Sequence, residues 1–159
     1  GFMVGKKHEQ NGMINSGSQL IHAVAGSTVP HISLQVGNSY GAGNYAMCGR
    51  SFNPRFLFSY PNAKSGVMGA DQLAGVMEIV KRKSAISLNK VIDENLLLEE
   101  KKKLAEQADK KASIWHTTSE VWDDGVIDPR DTRKYLSLAL SAVYSSEIKG
   151  TDSFGVFRM

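Results

Sequence analysis

The chain has 159 residues, enough for one hydrophobic core and too few for two large domains. Hydrophobic residues make up 42% and charged residues 22%, a globular balance that excludes intrinsic disorder. The net charge of +3 arises from basic residues interleaved with acids, and it is too small and too neutralised for a nucleic-acid partner.

Gly1-Phe-Met-Val-Gly5 carries no initiator and reads as the exit from a buried strand, which predicts that the chain is a piece of something longer. Lys6 to Gly12 is polar and reads as surface loop. From Met13 the apolar residues Ile14, Leu20, Ile21 and Val24 recur at helical spacing, and Gly26 with Ser27 stops the run before Pro30. His31 to Val36 alternates with period 2, placing Ile32, Leu34 and Val36 on one strand face, and it runs into a glycine turn and a short helix over 43–49.

Arg55 to Tyr60 has the aromatic density of a buried strand, Pro61-Asn-Ala63 breaks it, and Lys64 to Met68 is a second short strand. Gly69 then opens a helix over 70–81 with Leu73, Val76, Met77 and Val80 on one face, and Lys81 to Asn95 reads as a connecting arm. Glu99 to Ala112 is a strong helix former whose pairs Glu99 with Lys103 and Glu106 with Lys110 stabilise a solvated face by roughly 0.2–0.5 kcal/mol each. Trp122 to Arg133 reads as turn, extended piece and helix start, with Asp128 as N-cap and Pro129 at the first helical position. The following helix to about Ser146 is apolar on most sides and is expected to be buried. Phe154 and Phe157 predict a docked tail. Strand, turn, helix, strand pair and helix in this order give a layered α/β fold.

No apolar run reaches membrane-spanning length, and no secretory leader pattern opens the chain. The lone cysteine, Cys48, forms no internal disulfide, and His8, His22, His31 and His116 share no ligand spacing with it, so no metal is expected. With no base beside it, Cys48 reads as a buried structural residue.

Chemistry concentrates in the turn around Gly37, Gly41 and Gly43, where backbone freedom and a helix start leave N–H groups pointing outward. An oxygen with full or developing negative charge is their natural guest. Gly37-Asn-Ser39-Tyr-Gly41 also fits a nucleophile elbow, for which Asp71 or Asp93 and His116 are the loose partners. Gly41-Ala-Gly43-Asn-Tyr-Ala46 fits a dinucleotide turn, but no acid stands about 20 residues on. A turn built only for close packing is the remaining alternative.

Several separated blocks, in order, carry a resemblance: Gly1 to Gly5, Gly37 to Arg50, Asn53-Pro-Arg-Phe-Leu-Phe58, Trp122 to Arg133 and Phe154-Gly-Val-Phe-Arg-Met159. Together they resemble the carboxyl-terminal half of the carboxyltransferase (β) subunit of biotin-dependent acyl-CoA carboxylases, and above all its methylcrotonoyl-CoA branch. Coverage is weakest from Lys81 to Ala112. The resemblance implies a crotonase-like (ClpP/crotonase) layered β-β-α fold. Residues 1–159 would form one domain on the biotin side, with the acyl-CoA-side domain not contained in them.

By the same resemblance, the backbone N–H groups of Ala42 and Gly43 form the oxyanion hole for the ureido oxygen of biotin. Loss of one such donor typically costs around 2.7–4 kcal/mol of barrier. Tyr40, Gly41, Asn44 and Tyr45 flank that turn and would line the biotin pocket. In the propionyl branch an acid stands where Tyr45 stands here, which points to 3-methylcrotonoyl-CoA, with geranoyl-CoA next. The chain lacks a Met-Lys-Met attachment site and an ATP-grasp glycine motif. Carboxybiotin would therefore come from a biotin carboxylase and biotin-carrier α subunit, and other β subunits would complete a dimer or hexamer, the chain alone being inactive. The compartment would be bacterial cytoplasm or the mitochondrial matrix. Two rival expectations remain. One is a crotonase-like hydratase or thioesterase, which needs acids that the segment Gly37 to Gly69 lacks; the other is an assembly module working through the helices Met13 to Gly26 and Asp128 to Ser146.

Overall fold

The computed structural model describes residues 2, 3 and 5–150, so the tail with Phe154 and Phe157 and the expected strand exit at Gly1 and Val4 lie outside the described residues. Helices α1 (Lys6–Gln10) and α2 (Met13–Gly26) come first, so the segment expected as loop holds a short helix. Strands β1 (Ile32–Gln35) and β2 (Asn38–Tyr40) lead into α3 (Gly41–Ala46), and a 3₁₀ turn (Arg50–Phe52) follows. Next come β3 (Phe56–Ser59), β4 (Lys64–Gly66), α4 (Ala70–Ser87), α5 (Glu94–Ala112) and α6 (Ile114–Ser119). Strand β5 (Gly125–Val126), a second 3₁₀ turn (Pro129–Asp131) and α7 (Thr132–Val143) close the described chain.

All the strand pairings named here are parallel. One sheet has the order β1-β3-β5, and a second pairs β2 with β4. Residues Phe56-Leu-Phe58 form a continuous apolar run because β3 is the central strand, covered on both faces. Phe56 and Phe58 share one face, their rings parallel with centroids 5.9 Å apart, and Phe58 meets Tyr135 of α7 at 5.8 Å. Ile127 and Ala139 complete this core. Leu57 and Ser59 are buried on the opposite face, and Asp124 seals the sheet by accepting a hydrogen bond from the Leu57 N–H at 2.7 Å.

Several local expectations are corrected by tertiary packing. Helix α2 turns the small residue Gly17, not its apolar stripe, toward the ring of Phe2, and Ile14 stays 66% exposed. The connecting arm expected over 81–95 is largely helical, since α4 runs on to Ser87 and α5 begins at Glu94. The expected pairs Glu99 with Lys103 and Glu106 with Lys110 are not among the ion pairs of the described residues, and the paired charges of α5 reach other elements instead. Glu100 pairs with Lys81 at 2.5 Å, and Glu78 of α4 receives both Lys101 and Arg82 at 2.9 and 3.0 Å. Helix α7 buries Ala139 and Val143 but leaves Leu138 60% exposed, so it covers the sheet with one stripe only. Asp128 caps the 3₁₀ turn as expected, accepting from the Arg130 N–H, with Pro129 beginning the turn. No described helix is long and apolar enough to cross a membrane.

Candidate functional site

Strands β2 and β4 lie side by side with Tyr40 opposite Gly66, and each is followed by a helix. The N-termini of α3 and α4 therefore open at the carboxyl ends of neighbouring parallel strands, where α/β folds place ligands. Between them lies a cavity of about 780 Å³ lined by Tyr40, Gly41, Ala42, Gly43, Met68 and Gly69, with Lys64, Asp71 and Asp109 at its walls.

The turn depends on its glycines. Gly41 has φ +53°, and a Cβ there would sit 3.0 Å from the Val67 carbonyl oxygen. Asn44 Nδ2 donates to Ser39 Oγ at 2.9 Å and to Ser65 Oγ at 3.5 Å, tying α3 to both strands. Gly49 leaves room for that amide, because a Cβ on it would lie 1.9 Å from Asn44 Oδ1. Ser33 Oγ donates to the Cys48 carbonyl at 2.7 Å and anchors the exit from α3.

Ala42 and Gly43 fall in the first turn of α3, where a helix has no internal acceptor for its N–H groups. Among the described residues, no main-chain bond outside the helices and strands uses either nitrogen. Both residues line the cavity. The arrangement offers two adjacent, rigidly held donors to an oxygen whose negative charge grows during reaction.

The six expected site residues are thus brought together, but around two hollows. Tyr40, Gly41, Ala42 and Gly43 line the larger one, while Gly41, Asn44 and Tyr45 line a neighbouring cavity of about 540 Å³ with Val67, Val121 and Trp122. Tyr45 packs edge-on against Phe52 at 5.8 Å. Ser39 is held by the Asn44 amide rather than by an imidazole, while Asp93 is spent as the N-cap of α5. His116 lies on α6, and among the described residues no hydrogen bond joins its side chain to Ser39, Asp71 or Asp93. Cys48 is buried just beyond α3 with φ +54°, and burial pushes its thiol above the ordinary value, against a nucleophilic role.

Lys64 and Asp109 line the same hollow and stand outside the expected set. Lys64 Nζ donates to Asp109 Oδ1 at 2.5 Å, and that hydrogen bond to the carboxylate holds the ammonium above its usual range. This pair joins β4 to the end of α5 beside the glycine turn. The segment Gly37 to Gly69 indeed contains no acid, but folding supplies Asp71 and Asp109 to its cavity from outside it. The repeat of strand, glycine and helix at Gly41 and again at Gly69 was the available signal. Among the described residues, no group of three or more His, Cys, Asp or Glu is placed to hold a metal ion.

Comparison with known proteins gives this geometry a family. The model of the carboxyl transferase domain matches residues 1–156. A probable biotin-dependent acyl-coenzyme A carboxylase beta2 subunit of Mycobacterium tuberculosis is 51% identical over 159 residues, covering 100% of this chain and 30% of the relative. The mitochondrial methylcrotonoyl-CoA carboxylase beta chain of Dictyostelium discoideum is 44% identical over 163 residues, covering 100% of this chain and 27% of its own length. The crystal structure of the beta subunit of geranyl-CoA carboxylase from P. aeruginosa superposes with a TM-score of 0.80 at 42% identity, over 98% of this chain and 29% of that one. The chain spans less than a third of the length of each of these relatives. Its fold is crotonase-like, as the resemblance implied, and by sequence and structure alike the chain belongs to the carboxyl transferase domain family.

Proposed function

We propose that this chain is the biotin-side domain of a carboxyltransferase β subunit, which moves a carboxyl group from carboxybiotin to an acyl-CoA, with 3-methylcrotonoyl-CoA the expected acceptor. The observation that carries the proposal is the pair of N–H groups at Ala42 and Gly43, which among the described residues make no main-chain bond outside the helices and strands, on residues that line a large cavity at twin strand ends. Biotin, when bound, supplies a ureido oxygen that gains negative charge as its carboxyl group leaves. Its fit rests on those two donors, which match an oxygen acceptor and need no ionised side chain.

The chain's own residues then hold and orient. Ala42 and Gly43 donate to the oxygen, Gly41 lets the turn reach it, and Asn44 keeps the turn rigid through Ser39 and Ser65. Preorganisation matters because donors already aimed at the charged state cost no rearrangement during reaction. Tyr40 and Tyr45 wall the two hollows on either side. The biotin carboxylase and carrier α subunit, the acyl-CoA-side domain and further β copies in a dimer or hexamer would complete the enzyme. A geranoyl-CoA acceptor is the second reading, favoured by the likeness to the P. aeruginosa beta subunit.

Titration of the ¹⁵N-labelled chain with biotin tests the site. The expected result is saturable amide shifts confined to residues 41–45 and 67–70; unmoved amides at Ala42 and Gly43 would overturn it. In the complete enzyme, carboxylation of 3-methylcrotonoyl-CoA, geranoyl-CoA and propionyl-CoA, measured side by side, decides the acceptor. Enoyl-CoA hydration or thioester hydrolysis by the chain, abolished by Asp71→Asn or Asp109→Asn, would replace the proposal with hydratase or thioesterase chemistry.

A further inference from the structure

Strand β1 is an edge of its sheet, with β3 on one side and, among the described residues, no strand on the other. Successive residues of a parallel strand turn their main-chain groups to opposite sides. The Phe56 N–H donates to the His31 carbonyl at 3.3 Å and the Tyr60 N–H to the Gln35 carbonyl at 2.9 Å, so the odd-numbered residues of β1 face β3. Leu57 and Ser59 of β3 turn the other way, their carbonyls accepting from Asp124 at 2.8 Å and Ile127 at 2.9 Å, which keeps the same alternation across the sheet. Ile32 and Leu34 therefore aim their N–H and C=O groups outward, and among the described residues no main-chain bond outside the helices and strands uses them. A groove of about 370 Å³ runs along this edge, lined by Ile32, Leu34, Val36, Asn38 and Met47.

Free sheet edges are ordinarily guarded by shortness or charge. The far edge follows that rule, because β5 is two residues long and is preceded by Asp123 and Asp124. Ile32 to Val36 carries neither charge nor proline, and Ile32 and Leu34 pack on the Phe58 core. Strands β1, β3 and β5 stand in the sheet in chain order, so a strand preceding β1 in sequence continues that order only on the open side of β1. A parallel neighbour needs a crossover of roughly a dozen residues or more, usually helical, and α2 supplies 14. The start of that crossover is placed to match. The ring of Phe2 faces Gly17 of α2 and lines a cavity with Asn38, which also lines the edge groove just beyond the carboxyl end of β1. A strand running parallel to β1 and leading into Phe2 would follow the groove and leave it at this end.

We propose that the open edge of β1 pairs with one further parallel strand, formed by the residues directly upstream of Phe2 in a longer β subunit. Its main chain bonds to the outward groups of Ile32 and Leu34, and its apolar side chains lie on the face that these two residues share. β1 then becomes an interior strand, with α2 as the crossover and Phe2, at the exit of the added strand, on the wall of the larger cavity. The pairing concerns the sheet edge, so its failure leaves the carboxyltransferase proposal standing on the donors at Ala42 and Gly43.

Amide hydrogen exchange, read residue by residue in the 159-residue chain and in the intact β subunit, tests the pairing, with Phe58 of β3 as internal reference. Relative to Phe58, exchange at Ile32 and Leu34 should slow by about tenfold or more in the intact subunit, while Ser33 and Gln35, already turned to β3, change much less. That alternation separates strand pairing from a general gain in stability. Equal slowing at all four residues overturns the proposal, as does unchanged exchange at Ile32 and Leu34. Protection of these two residues that appears in the 159-residue chain and grows with its concentration assigns the edge to a second copy and overturns it as well. Within the intact subunit, Ile32→Cys is combined with cysteines placed one at a time over the residues upstream of Phe2. Oxidative cross-linking at alternate positions supports the strand, and cross-linking at none overturns it.

Discussion

Gly41 faces Val67 so closely that a Cβ on Gly41 would stand 3.0 Å from the Val67 carbonyl oxygen. This contact sets the separation between the two strand-to-helix turns whose N–H groups border the candidate site.

Gly41→Ala should therefore act on both stability and the site. The φ of +53° alone costs a residue with a Cβ about 1–2 kcal/mol, and the carbonyl contact adds to it. Urea unfolding should show that loss, and the amides of Ala42 and Gly43 should shift more than those of β3. An unchanged midpoint would show that the turn tolerates a side chain.

Acid should loosen the α4–α5 hairpin before it loosens the sheet. The Glu78 carboxyl is held below its ordinary 4.5 by hydrogen bonds from Lys101 and then Arg82, and the Arg82 guanidinium holds Glu94 low through contacts of 2.7 Å. Carboxyls depressed in this way bind fewer protons folded than unfolded. Their support is complete above about pH 4.5 and fades as the pH falls through the depressed values. Hydrogen exchange of α4 and α5 should quicken over that range, less so in Glu78→Gln and less so at high salt, because these pairs are exposed.

Asp93→Ala should shorten α5 from its start. Asp93 Oδ1 accepts from the N–H groups of Asn95 and Leu96 at 2.9 and 3.2 Å, and removing such a cap costs about 1 kcal/mol. A lower melting temperature, with faster exchange at residues 94–97, is the expected outcome; Asp93→Asn should largely restore both.

How much of this was legible in the sequence depended on the range of the forces involved. The alternation around Ile32 and Leu34, the aromatic run at Phe56 and the Asp128-Pro129 start are local patterns, and each marks an observed element. Residues 81–95 misled because their basic side chains look solvated until Glu78, Glu94 and Glu100 are placed opposite them on two helices. The glycine turn was legible because backbone freedom is written in residue type, and it is observed between β2 and α3. Lys64 and Asp109 were not legible, since only parallel strand pairing and the return of α5 bring them to the same cavity.

The donors at positions 42 and 43 belong to peptide groups, which every amino acid except proline carries. Ordinary side-chain exchange cannot erase them; it can only displace them. Drift at these codons thus leaves the hydrogen atoms in place, and selection falls on whatever fixes the loop's shape. Replacing a single amide by an ester, through chemical synthesis, would delete one donor while sparing every side chain.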